Sequence, residues 1–259
     1  MSTSTDDRAG NRPGGKWLIA IGLVLAIAAG LAGWLAGHAQ YGSVTSIWSG
    51  DQRAIEAVVR NYILENPEIL PEAMENLQRR ENLKRLAGVR GEAETPYPNA
   101  VLGNPKGSVT LVEFMDFACG FCKRSVEDLK EVIAKDPDLK VVVRELPILS
   151  EQSTDAARMA LAAAEQGKYA AFHYAMFDAG RPTPTTIEAA ARKVGMDMAK
   201  AKAAIASPRI NAEIERNLNL ARQLGFNGTP SWIVGDELIA GAVGTEELSK
   251  AIAKARDAS

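Results

Sequence analysis

The sequence predicts an α/β domain preceded by a helical region and by one segment long enough to cross a membrane. Three observations predict it. Short apolar runs rich in β-branched residues, VTLVEF, LKVVVREL and SWIV-GD-ELIA, have the length and composition of buried strands. Between the second and third lies a block, residues 153 to about 225, that reads as several helices. Near the N-terminus, residues 17–37 form an unbroken apolar run.

Composition limits what such a chain does. Its 259 residues leave room for one domain of ordinary size, a membrane segment and a smaller accessory region. A hydrophobic content of 46% supports a buried core but is too low for a chain that crosses the membrane many times. The 30 basic and 32 acidic side chains nearly cancel, and no block of five like charges occurs, so no nucleic-acid partner is expected. Only two cysteines are present, Cys119 and Cys122, and so short a loop cannot staple a fold. These thiols are expected to do chemistry.

In chain order, the segment WLIAIGLVLAIAAGLAGWLAG (Trp17 to Gly37) comes first. Its 21 residues at a helical rise of about 1.5 Å give about 31 Å, enough for a hydrocarbon core of roughly 30 Å. Arg8, Arg12 and Lys16 flank it on one side, and His38 to Gln52 contains no Lys or Arg. The positive-inside rule keeps residues 1–16 in the cytoplasm and exports the rest. A signal peptide cut after Ala39 is the alternative, although its apolar region is ordinarily only about 7–15 residues.

Residues 51–92 read as helical. Ile55, Val58, Val59, Tyr62 and Ile63 recur at helical spacing, Asn66-Pro67 breaks the pattern, and Ile69, Leu70, Met74, Leu77, Leu83 and Leu86 follow. That stripe either folds back on the main domain or pairs with copies of itself. GVRGEAETPYPNAVLGNPKG then reads as a linker.

The main domain, residues 97–259, has its first strand in VTLVEF. A helix begins after Cys119, carries Val126, Leu129 and Ile133 on one face, and stops before Asp136-Pro137. LKVVVREL is the second strand, and helices occupy about 150–225. SWIV and ELIA form a hairpin turning on Gly235-Asp236, and Thr245 is placed to N-cap a closing helix. This order is a thioredoxin core with helices inserted before its final hairpin.

Disulfide exchange needs a thiolate attacker and a second thiol close enough to resolve the mixed disulfide. Cys119, at the helix start, faces unpaired backbone N–H groups and the positive end of the macrodipole, so its pKa is expected to fall. Cys122, one turn on, is the expected resolving thiol. Gly120 permits the tight turn, and Phe121 offers an apolar surface to a client. A zinc site would need two more ligands, and only His38 and His173 exist. No metal or organic cofactor is expected. Glu113 interrupts the strand six residues before Cys119. It is either a buried carboxyl that passes protons to and from Cys122 or a strand-end side chain that reaches water. The Thr229-Pro230 bond is either a cis peptide beside Cys119 or an ordinary loop proline starting a strand.

FACGFCK, Glu113 at its offset, GTPSWIV and the helical insertion together resemble the DsbA-like branch of the thioredoxin superfamily, over roughly Asn99 to Ala255. YILENPEILPEAMENLQ is similar to the N-terminal region of the suppressor-of-copper-sensitivity C (ScsC-like) proteins. The resemblance implies that Cys119 is the nucleophile, Cys122 the resolving cysteine and Glu113 the buried acid. It makes Thr229-Pro230 the cis-proline pair at which clients bind, and it implies self-association through residues 51–92. The Gly-Phe dipeptide departs from the Pro-His of strongly oxidising relatives and looks like the Gly-Tyr of periplasmic isomerases.

The combined expectation is a single-pass protein of a bacterial inner membrane, with its domain in the periplasm. It would exchange disulfides with exported protein clients in the isomerase or reductase direction and draw electrons from a membrane redox partner. A dedicated oxidase is one alternative. A Cu(I)-binding module using the same dithiolate is another, although no Met- or His-rich tract supports it.

Overall fold

The computed structural model describes residues 27–34 and 52–258. The chain divides into two compact units, Met1–Glu72 and Ala73–Ser259.

In the first unit, residues 27–34 are helical, and α1 is helical over the described residues 52–65. Ile55, Val58, Val59 and Tyr62 are exposed along α1. A turn at Pro67-Glu68 leads into α2 (Ile69–Leu86). Among the described residues no helix is long and apolar enough to cross a membrane. Most of the expected span, residues 17–26 and 35–37, lies outside the described residues.

The second unit is built on a five-stranded sheet of order β1-β3-β2-β4-β5. Strands β2 (Val109–Met115) and β3 (Leu139–Glu145) run parallel at its centre, joined by the crossover helix α4 (Gly120–Lys135). The hairpin β4 (Ser231–Val234) and β5 (Glu237–Ala240) adds antiparallel to β2, and β1 (Val101–Gly103) adds antiparallel to β3.

Side chains alternate across the sheet. Leu111, Met115, Val141, Val143, Trp232 and Val234 face one core, shared with α4 and with α10 (Gly244–Asp257). The inserted helices α5 (Glu151–Glu165), α6 (Tyr169–Ala179), α7 (Pro184–Lys193) and α8 (Met198–Ala206) complete that side. Val112, Phe114, Val142 and Ile233 face the other core, against Leu86, Val89 and Ala93 and the Leu220–Leu224 end of α9 (Pro208–Leu224). Each fully buried aliphatic side chain contributes about 1.5–3 kcal/mol, which fixes the strand register. Gly225 ends α9 with φ of 76°, where a Cβ would also press on the Arg85 guanidinium at 2.8 Å.

Three expectations change. The stretch read as a linker contains α3 (Arg90–Glu94) and β1, with Ala93, Ala100 and Leu102 buried. The reason is Arg144, a buried ion near the end of β3. Its buried guanidinium donates to the carbonyls of Glu92, Ala93 and Thr95 and pairs with Glu213 at 2.7 Å, tying that segment to the sheet and to α9. Turn-rich composition reads as linker when its backbone partners lie far along the chain. The compact unit accordingly starts at Ala73, well before residue 97, because Leu86, Val89 and Ala93 belong to its core. Thr245 does not cap α10: Val243 occupies that position without a side-chain cap bond, and the Thr245 hydroxyl donates to Asp128 at 3.0 Å and to Glu131 at 3.1 Å.

Candidate active site

Cys119 lies where the loop from β2 enters α4. Asp116 shapes that loop: its carboxylate accepts from the N–H of Ala118 at 2.8 Å, and its carbonyl accepts from the N–H of Cys119 at 3.0 Å. The same carboxylate accepts from the N–H groups of Ile148 and Leu149, at 2.9 and 3.0 Å, so one buried side chain joins the loops that follow β2 and β3.

Cys119 is itself the N-cap of α4. Its backbone is extended and its sulfur accepts from the N–H of Cys122 at 3.4 Å. The Cys119 thiol donates to the carbonyl of Thr229 at 3.2 Å. Thr229 is joined to the buried Pro230 by a cis peptide, and its hydroxyl has no partner. The Cys119 pKa is lowered to about 5. The Cys122 thiol is the largest cause; burial opposes it, and Thr229 and the N–H groups of Cys122 and Phe121 add to it. In the thiolate, the free Thr229 hydroxyl is the donor that residue contributes.

Cys122 differs sharply. It is buried on the apolar face of α4, and burial, then its bond to Cys119, then the Glu113 charge push its pKa far up. Both cysteines are free thiols. One sulfur is therefore ready to attack and the other needs its proton removed first.

Glu113 is 2% exposed, which excludes a strand-end side chain reaching water. Burial first, and then the Cys119 charge, raise its pKa to about 8. No hydrogen bond joins its carboxyl to either sulfur, and Oε2 has no partner. Phe121 is 56% exposed and lies under Arg124, whose guanidinium carbon is 4.4 Å from the ring centroid.

Several neighbours escape the sequence reading. Glu145 lies two residues beyond the β3 partner of Glu113 and on the same face. It is buried, accepts from the Tyr169 hydroxyl at 2.7 Å, and has its pKa raised, chiefly by burial. A charged residue in LKVVVREL is the same signal that Glu113 gives in VTLVEF. His173 on α6 is buried among Phe117, Tyr169, Tyr174 and Phe177, neither ring nitrogen has a partner, and burial lowers its pKa to about 3. Its place in YAAFHYAMF, a run apolar on every side, is the signal that could have found it. The Asp of MDFACGFC, three residues before the nucleophile, is a turn residue that could have been read as such. Among the described residues no group of three or more His, Cys, Asp or Glu side chains is arranged to hold a metal ion.

Comparison with known proteins places this geometry. Residues 110–253 match the DSBA-like thioredoxin domain, and residues 51–82 match the N-terminal domain of the copper resistance protein ScsC. A thioredoxin-like oxidoreductase from Silicibacter pomeroyi DSS-3 is 44% identical, with a TM-score of 0.60 over 62% of this chain and 95% of its own. The thiol-disulfide exchange protein alpha-DsbA2 from Wolbachia pipientis is 30% identical, with a TM-score of 0.62 over 72% of this chain and 98% of its own. The Na(+)/H(+) antiporter NhaA 3 of Salinispora tropica is 26% identical over 163 residues, 62% of this chain. The match spans only 25% of that antiporter.

Proposed function

This chain belongs to the DSBA-like thioredoxin domain family, and from that premise we propose that it is an extracytoplasmic protein thiol–disulfide oxidoreductase working through Cys119 and Cys122. The observation that carries the reading is the asymmetry of the two thiols, one lowered to about 5 at a helix start and the other buried and held protonated.

The reaction follows from that asymmetry. The Cys119 thiolate attacks one sulfur of a client disulfide, a mixed disulfide forms, and the first client thiolate leaves. Once the mixed disulfide has removed the Cys119 charge, the ionised fraction of Glu113 grows; Cys122 gives its proton to that carboxylate, directly or through one water, and attacks the Cys119 sulfur. The Cys119–Cys122 disulfide forms, the second client thiolate leaves, and the client has gained two electrons. In isomerisation another client thiol displaces Cys119 and Cys122 stays reduced. Thr229 and Pro230, with Phe121, are the proposed client contacts.

A nucleophile near 5 lies between thioredoxin at about 7 and the strongest periplasmic oxidant at about 3.5, which favours a potential between roughly −120 and −270 mV. We place the protein among isomerases and reductases, re-reduced by a membrane partner. The apolar run 17–37 is the proposed anchor, which puts the domain in the periplasm. Residues 51–92 are the proposed self-association region, supported by the exposed stripe on α1 and by the ScsC match.

The test uses the full chain. Cys119→Ser should abolish insulin reduction, and Cys122→Ser should accumulate mixed disulfides with clients. Protein trapped from membranes should be largely reduced and should reactivate scrambled ribonuclease. Wholly oxidised protein, active only on reduced ribonuclease, would decide for an oxidase.

A further inference from the structure

Helix α4 carries four basic side chains, and they fall into two kinds. Lys130 pairs with Glu127 at 2.8 Å and Lys135 with Glu131 at 2.6 Å. Lys123 and Arg124, both exposed, form no ion pair among the described residues. Acidic partners stand at the right spacing, Glu127 four residues beyond Lys123 and Asp128 four beyond Arg124. They are engaged elsewhere: Glu127 holds Lys130, and Asp128 accepts from Thr245 at 3.0 Å.

Arg124 turns the other way and lies over the Phe121 ring, two residues from Cys119. Helix stability does not account for two cations here, because the N-terminal end of a helix favours acids. The stacked geometry leaves a use for the guanidinium. The guanidinium carbon sits over the ring, and no hydrogen bond or ion pair among the described residues takes up its N–H groups, which leaves them for a carboxylate, a fork that lysine lacks. The loop beyond β3, tied to the Cys119 loop through Asp116, exposes Ile148 (43%) and Leu149 (54%). An incoming segment at Cys119 thus meets apolar surface and an unpaired cation.

We propose that Arg124, stacked on Phe121 and assisted by Lys123, selects client or partner segments that carry an acidic side chain beside the cysteine being exchanged. The inference rests on the disulfide-exchange reading and adds a preference to it. An exposed pair of this kind changes a rate by roughly two- to fivefold and is screened by salt.

The experiment takes the reduced full chain and three cyclic peptide disulfides that differ only in the residue beside each cysteine, Asp, Asn or Lys. In each turnover the peptide S–S bond breaks, the Cys119–Cys122 bond forms, and the peptide leaves as a dithiol, read by dequenching of a fluorophore pair. The order expected at low salt is Asp, then Asn, then Lys, with a spread of roughly two- to fivefold per step that collapses at high salt. Arg124→Gln should flatten the order and Arg124→Glu should invert it. An unchanged order in Arg124→Glu, or a spread insensitive to salt, overturns the inference. So does equal loss of exchange with all three peptides, which would make Arg124 part of the reaction and not of the choice. If the unaltered chain reduces none of the peptides, the redox reading itself falls.

Discussion

Alkylating the reduced protein with iodoacetamide across pH isolates the Cys119 thiol, because both cysteines are buried but only Cys122 is held protonated. With its pKa at about 5, Cys119 is about 97% thiolate at pH 6.5, whereas an ordinary thiol near 8.5 is about 1% thiolate. That hundredfold gain in thiolate is not a hundredfold gain in rate. Nucleophilicity falls with pKa along a Brønsted slope of about 0.4–0.5, which removes about 25- to 55-fold. The net advantage at pH 6.5 is only about two- to fourfold, so the shape of the profile is the better observable. Labelling of Cys119 should rise with a midpoint near 5 and stay flat from about pH 6.5 to 8. An ordinary thiol would climb about tenfold per pH unit over the same range. Mass spectrometry of the labelled peptide reads each cysteine separately. A Cys119 midpoint at or above 8, or equal labelling of both thiols, would refute the claim that the helix start and Thr229 prepare the nucleophile.

Three further outcomes are expected. Glu113 holds a proton in the folded state up to about pH 8 but loses it near 4.5 when unfolded, so it lowers stability progressively as pH rises through that window. Glu113→Gln should remove a slope of up to about 1.4 kcal/mol per pH unit in denaturant titrations, and it should slow release of mixed disulfides near neutral pH. Identical slopes in both proteins would count against the buried acid. Arg144→Ala should cost about 3–5 kcal/mol, because Glu213 and three carbonyls lose a buried donor, and proteolysis should then cut first near residues 92–95. Paired lysines at Ile55 and Val59 in the full chain should reduce its mass by light scattering if α1 joins copies together, and an unchanged mass would remove that role.

Strands and crossover helix were legible in the sequence because their evidence is local. VTLVEF, LKVVVREL and SWIV-GD-ELIA each declare a buried strand within a few residues, and observed β2, β3 and the β4–β5 hairpin follow them. So does α4, which ends at Lys135 before Asp136-Pro137. β1 is only three residues long, VLG, and takes its partner from β3 some forty positions away. Its flanking Gly and Pro residues outweigh so weak a signal. Thr245 fits the capping preference, yet it serves Asp128 and Glu131 on α4, a choice only tertiary packing makes. At the site, the C-x-x-C spacing announced itself. Glu145 with Tyr169, and Arg124 with Phe121, depend on which face a strand presents and which way a long side chain turns.

The sulfur of Cys119 accepts the N–H of Cys122 and so closes the first turn of α4. Most helices are started by an atom that never changes, but here the starter is the atom whose bonding the reaction alters. A thiolate is a stronger acceptor than a disulfide sulfur, so the Cys122 amide is shielded most in the reduced protein and least once the disulfide has formed. The opening turn of α4 should therefore breathe more after each transfer of electrons to a client, and exchange at that amide becomes a gauge of how many electrons the protein holds.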